Sequence, residues 1–155
     1  MQYKDVNMKI LVEKFLSTNT GSLPPDYKLY CFNGKCKAIL YIAGRDKHEH
    51  KAAFFDTAWN YLGLPYKEGK PAQYIEFDPL PKAPEALSSM ITVSEDLARE
   101  FPFVRVDFYD VDGKAIFGEM TFTPAGGHDV SEIDIDGVTM GQMLQILTIT
   151  ADEEV

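Results

Sequence analysis

The chain is poor in cysteine, in tryptophan and in basic residues, and it has no long apolar run. Its two cysteines, Cys31 and Cys36, are too few for a disulfide-built scaffold and leave no second pair for a zinc site. No stretch approaches the roughly 20 apolar residues of a membrane helix, so no membrane insertion is expected. The opening MQYKDVNMKILVEKFL lacks the charged-then-apolar pattern of a secretory leader, which makes the cytoplasm the expected compartment. Lys and Arg number 15 against 24 acids, a net charge of −9. That sign opposes the phosphate attraction on which general nucleic-acid binding rests, so no nucleic-acid partner is expected. Any phosphate this chain handles must be met by a local site or by a metal ion.

With 155 residues, 45% of them hydrophobic, the chain is long enough for one domain with a real core, expected over residues 1–150 with a frayed tail at 151–155. Residues 8–16 alternate as a strand, with Ile10 and Val12 on one face and Leu11, Glu13 and Phe15 on the other. Residues 17–25 read as loop. Residues 26–33 and 35–43 form a hairpin about Asn33-Gly34, because a type I′ turn needs φ > 0 at both central positions. That register sets Cys31 opposite Cys36, as two reduced thiols or, with no CxxC motif in support, a redox pair. The segment FFDTAWNYLGLP at 54–65 is ambiguous, and 66–82 is a Pro- and Gly-rich wrap. A helix is expected from Pro84 to Phe101, with Ala86, Leu87, Met90, Ile91, Leu97, Ala98 and Phe101 on its apolar face. Two strands follow at 103–110 and 114–122, then a weaker helix at 138–147 carrying Met140, Met143, Leu144 and Leu147. The fold class is α+β: a mainly antiparallel sheet with helices packed on one face.

The chemistry concentrates in FPFVRVDFYDVDGKAIFGEMTFTPAGG, residues 101–127. A three-residue loop, Val111-Asp112-Gly113, is the expected connection. It puts Arg105 opposite Glu119 and Asp107 opposite Phe117. Val104, Val106, Phe108, Ile116, Met120 and Phe122 then share an apolar face, while Arg105, Asp107, Glu119, Thr121 and Thr123 share the other. A two-residue Asp112-Gly113 loop would put Glu119 and Asp107 on opposite faces; the clean apolar face argues against that register, which a bulge can disguise. On one face, the two acids sit as diagonal neighbours about 7–8 Å apart, within reach of one hard cation such as Mg²⁺. Arg105 beside them suits a phosphate oxygen. A surface cross-strand ion pair accounts for the same spacing.

Four ordered motifs, DYKLYCFNGK, FFDTAWN, FPFVRVDFYDVDGK and FGEMTFTPAGG, resemble the TupA-like ATP-grasp family of polysaccharide biosynthesis proteins. The resemblance implies ATP and Mg²⁺ as cofactors, with Asp107 and Glu119 as metal ligands and Glu119 bridging. Thr121 stands where many ATP-grasp enzymes carry Asn, and a hydroxyl is the weaker neutral ligand. Arg105 would face the transferred phosphate, and Arg45 would offer a second phosphate contact. EKFL resembles the adenine linker: Glu13 would accept from the amino group, and Lys14 to Leu16 would give main-chain contacts and an apolar wall. A solvated strand residue is the plain alternative for Glu13. Asp26 matches the acid that often holds the ribose. His48 and His50 flank Glu49 in a metal-competent spacing that a solvated loop explains as well, and Gly126-Gly127 suits either close substrate approach or a plain turn.

The resemblance also implies that the glycine-rich lid half lies upstream of Ile10, supplied by a longer chain or a partner, so that this portion alone is a weak ligase or an inactive one. The activity implied is ATP-dependent joining of a carboxylate to an amine through an acylphosphate, on a small-molecule or sugar-acid substrate. A non-catalytic, degenerate module that binds a partner or a glycan is the alternative.

Overall fold

Asn33 and Gly34 both adopt positive φ, 49° and 76°, and close a two-residue turn between β1 (Asp26–Phe32) and β2 (Lys35–Ala43). Cys31 faces Cys36 across it, as the Asn-Gly register requires. A computed structural model describes residues 7–45, 50–64, 74–127 and 133–144. Among them, β3 (Lys51–Phe55), β4 (Tyr61–Gly63), β5 (Phe103–Val111) and β6 (Lys114–Thr121) join the first hairpin. The result is a six-stranded antiparallel sheet in the order β4-β3-β2-β1-β5-β6. A small ribbon, β7 (Asp134–Ile135) with β8 (Val138–Thr139), leads into a single helical turn, α2 (Met140–Met143). The α+β class and the antiparallel sheet are as the sequence indicates. No helix among the described residues is long and apolar enough to cross a membrane.

The long helix is α1 (Leu87–Ala98), inside the expected span. It buries Ala86, Met90, Ser94 and Ala98, a strict four-residue repeat, against Tyr27, Leu29, Cys31, Cys36, Ile39, Val104, Val106 and Phe108. Leu97 and Phe101, expected on the buried face, stay more than a third exposed, and Phe101 packs edge-on against Phe122 instead. Glu95 ties the helix to the first hairpin: its carboxylate accepts from the Cys36 N–H at 3.2 Å and from Lys35 Nζ at 2.9 Å. Both cysteines are buried free thiols, and the shared hydrogen bond with Cys31, together with burial, pushes the Cys36 thiol well up. Trp59 belongs to this side of the core, stacked on Phe55 with ring centres 4.2 Å apart and donating to the Pro81 carbonyl.

The opposite face of the sheet is divided. Over β2 and β3, Leu40, Ile42, Ala52 and Phe54 lie under Ile133, Ile135, Met140 and Met143, so α2 packs on this second face. Over β1 and β5 the same face begins with Tyr30, Phe32 and Phe103, which join that cluster, and beyond them turns polar with Asp26, Lys28, Arg105 and Asp107 beside Glu119 and Thr121 of β6.

Three expectations are corrected. Residues 8–16 are not a strand of the sheet: the segment has no regular secondary structure and pairs with no strand among the described residues, and Ile10 is 95% exposed. The β5–β6 connection is the two-residue turn Asp112-Gly113, φ 53° and 80°, with Val111 paired to Lys114. The extra residue sits further along, as a bulge at Gly118, and it restores Asp107 and Glu119 to one face. Ile116 therefore pairs with Tyr109, leaving the apolar face to Phe117, which meets Phe108. The helix expected at 138–147 is the one turn of α2; Leu147, the 151–155 tail, His48 and Glu49 lie outside the described residues.

Candidate functional site: a charged row across three strands

Side chains directly opposite one another in an antiparallel sheet share a face. The β1–β5 register pairs Lys28 with Asp107 and Tyr30 with Arg105. The β5–β6 register pairs Asp107 with Glu119 and Arg105 with Thr121. Two parallel rows result, Lys28–Asp107–Glu119 and Tyr30–Arg105–Thr121, on the face away from α1. The bulge makes Asp107 and Glu119 direct partners rather than the diagonal neighbours expected. Gly118 eases this close approach: a Cβ there would stand 3.1 Å from the Asp107 carbonyl oxygen and 3.2 Å from the Tyr109 ring, tighter than ordinary contact.

Asp107 is 3% exposed. Its Oδ1 accepts from Arg105 Nε at 2.7 Å, and its Oδ2 accepts from the same guanidinium at 2.9 Å and from Lys28 Nζ at 2.5 Å. Arg105 also donates to Thr121 Oγ1 at 3.1 Å and lies 3.5 Å from Glu119. Burial disfavours the guanidinium's charge, but the hydrogen bonds and charge of Asp107 outweigh it and hold Arg105 above the ordinary arginine value. Glu119 is the open acid: its side chain is 66% exposed, and the Thr121 hydroxyl reaches it only at 3.4 Å.

Asp26 continues the cluster on β1. Its buried carboxylate lies 3.0 Å from Lys28 Nζ and 2.6 Å from an Arg45 nitrogen. Among the described residues neither oxygen receives a well-aligned hydrogen bond, and these two cations stand against its charge. The chain of contacts runs Arg45, Asp26, Lys28, Asp107, Arg105, Glu119, with sign alternating at each step.

The structure therefore brings together Arg45, Asp26, Arg105, Asp107, Glu119 and Thr121. Glu13 and Lys14 are exposed and Leu16 half-buried on the unpaired segment before β1. The turn after that segment is held to the β5–β6 loop by Asn19 N–H donating to Asp112 at 3.1 Å. Gly126 lies in a tight turn with φ 66°. Lys28 is the residue that sequence reading missed. Its position two residues after Asp26 on a strand was the signal that could have found it.

For a hard cation the donor chemistry fits: two carboxylates and a hydroxyl, all oxygen, on adjacent strands. Among the described residues no group of three or more His, Cys, Asp or Glu gathers as a self-sufficient metal cage.

A large antiparallel sheet with a helix on one face and a row of acids and cations on the other has the makings of an ATP-grasp-like subdomain. A family model described as TupA-like ATPgrasp matches residues 1–144, and the chain belongs to that family. No curated protein and no solved structure matches it.

Proposed function

We propose that this chain is the ATP- and Mg²⁺-binding part of a carboxylate–amine ligase that works on a small-molecule or sugar-acid substrate in cytoplasmic steps of cell-envelope polysaccharide synthesis. The observation that carries this reading is the direct pairing of Asp107 with Glu119 on one polar face, beside Lys28, Arg105 and Arg45. Metal ions, when bound, would neutralise triphosphate charge. Glu119 and Asp107 would hold them, with Thr121 as a neutral oxygen donor. Arg105, held on Asp107, would face the transferred phosphate with its remaining guanidinium N–H groups, and Arg45 would take a second phosphate contact. Asp26 keeps Arg45 and Lys28 aimed across the same face.

In this reading the substrate carboxylate attacks the γ-phosphorus and ADP leaves. An amine then displaces phosphate from the acylphosphate, giving an amide. Catalysis is positioning plus charge stabilisation, with no covalent role for the chain. Glu13 and the main chain of Lys14 to Leu16 would line the adenine, which gives the exposed apolar segment a surface to cover. A lid half contributed from outside the described residues would complete the enclosure.

Calorimetry tests the reading. ATP with Mg²⁺ should bind, ATP with excess chelator should bind far more weakly, and Glu119→Gln should remove the difference. The engagement of Asp107 by two cations favours a second reading, a degenerate module that binds a partner or a glycan. Binding indifferent to metal and to Glu119→Gln would support it.

A further inference from the structure

The two acids of the charged row are in opposite conditions. Glu119 is open to solvent with long contacts only. Asp107 is closed: both oxygens are capped by cationic donors within 2.9 Å. A divalent ion approaching Asp107 meets an ammonium and a guanidinium, whose like charge opposes it in a partly desolvated site. The two guards differ. Arg105 is pinned by both Asp107 oxygens and by Thr121. Lys28 is a compact charge on a four-carbon stem with rotatable donors, so its ammonium can move to a new anion while the strand stays in place. Its departure strands neither acid, because Arg105 remains on Asp107 and Arg45 on Asp26.

We propose that Lys28 is a counter-ion that closes Asp107 to divalent metal until a triphosphate draws the ammonium away, so that metal enters with the nucleotide and not ahead of it. This rests on the ATP- and Mg²⁺-binding reading above and adds an order to it. Lys28 is a positioning residue in this scheme: it acts on the metal through Asp107.

The probe is Mn²⁺ alone, titrated into the full chain without nucleotide and followed by the loss of its free spin-resonance signal. The wild-type chain should take up Mn²⁺ weakly. Lys28→Met should bind it at least about tenfold more tightly, since one opposing charge beside the acid is gone. Lys28→Arg keeps the charge and should behave as wild type. Adding Glu119→Gln to Lys28→Met should erase the gain, which places it in this row. Lys28→Gln, with a hydrated side chain, repeats the arm should the methionine variant not fold. Equal Mn²⁺ affinity in wild type and both neutral variants would overturn the proposal, as would a gain that survives Glu119→Gln. Calorimetry of wild type with Mg²⁺ and ATP separates the two claims. Nucleotide binding with no Mn²⁺ gain in Lys28→Met sinks the ordering alone; a gain without nucleotide binding sinks the parent reading and leaves the closure of Asp107 standing.

Discussion

Replacing Asp107 with Asn removes one charge from the middle of the row while keeping the side chain's shape. Two cations lose their partner, and their side chains are only 14% and 12% exposed for Lys28 and Arg105. Breaking a buried ion pair by removing one member costs about 3–5 kcal/mol. Here each cation keeps a second acid, Asp26 at 3.0 Å for Lys28 and Glu119 at 3.5 Å for Arg105. The amide oxygen can also still accept one hydrogen bond. The cost should therefore fall to about 2–3 kcal/mol, which for a chain of this length lowers the melting temperature by about 5–10 °C. Urea titration at neutral pH gives the free energy, and calorimetric melting gives the temperature. Asp107→Asn combined with Arg105→Met should cost less than the sum of the two singles by about 1 kcal/mol or more, because the second change removes a charge the first has orphaned. A loss below about 0.5 kcal/mol, or strict additivity, would mean that the row is an ordinary solvated pair.

Gly118→Val should destabilise by about 1–3 kcal/mol, since a Cβ there meets the Asp107 backbone, and chemical shifts at Asp107 and Glu119 should move as the bulge is disturbed. Met90→Ala, at a fully buried position on the inner face of α1, should cost about 2–5 kcal/mol in urea unfolding. The hydrogen bond from Lys35, with help from the Cys36 N–H, holds the Glu95 carboxyl below its ordinary 4.5. A lowered folded value means the contribution is whole above about pH 5 and is lost as acid carries the pH down through it. Urea midpoints taken from about pH 7 to about pH 3 should fall less steeply in Glu95→Gln than in wild type.

Much of the frame is legible from local chemistry. Asn33-Gly34 admits one turn, and that turn sets the Cys31–Cys36 register. The span of α1 follows from its apolar spacing, but its buried line does not. Ser94 lies at its centre because its hydroxyl is satisfied by the Ile91 carbonyl 2.8 Å away, which a hydropathy reading scores as polar surface. Residues 8–16 show the limit of alternation: the pattern is that of a strand, yet a strand needs a partner, and the segment pairs with none among the described residues. The β5–β6 hairpin holds Asp107 and Glu119 on one face as expected, but through a different register in which Phe117 takes the place expected of Ile116. An extra residue in the loop and an extra residue at Gly118 give the same shared face for Asp107 and Glu119, and only the backbone distinguishes them. Arg45 joined the site although a strand separates β1 from the loop it opens, because β2 returns the chain beside Asp26. The role of Lys28 is not legible from β1 alone, because its partner Asp107 stands opposite it only through the β1–β5 pairing of strands distant in sequence.

Metal-bound nucleotide is proposed to seat on the polar part of the sheet, away from α1. Paramagnetic broadening of backbone amide signals by Mn²⁺ with ATP reads that location directly. Signals of residues 105–107 and 119–121 should disappear first, with Lys28 close behind, while those of residues 87–98 persist. Loss centred on the helix side, or spread evenly over the chain, would contradict it.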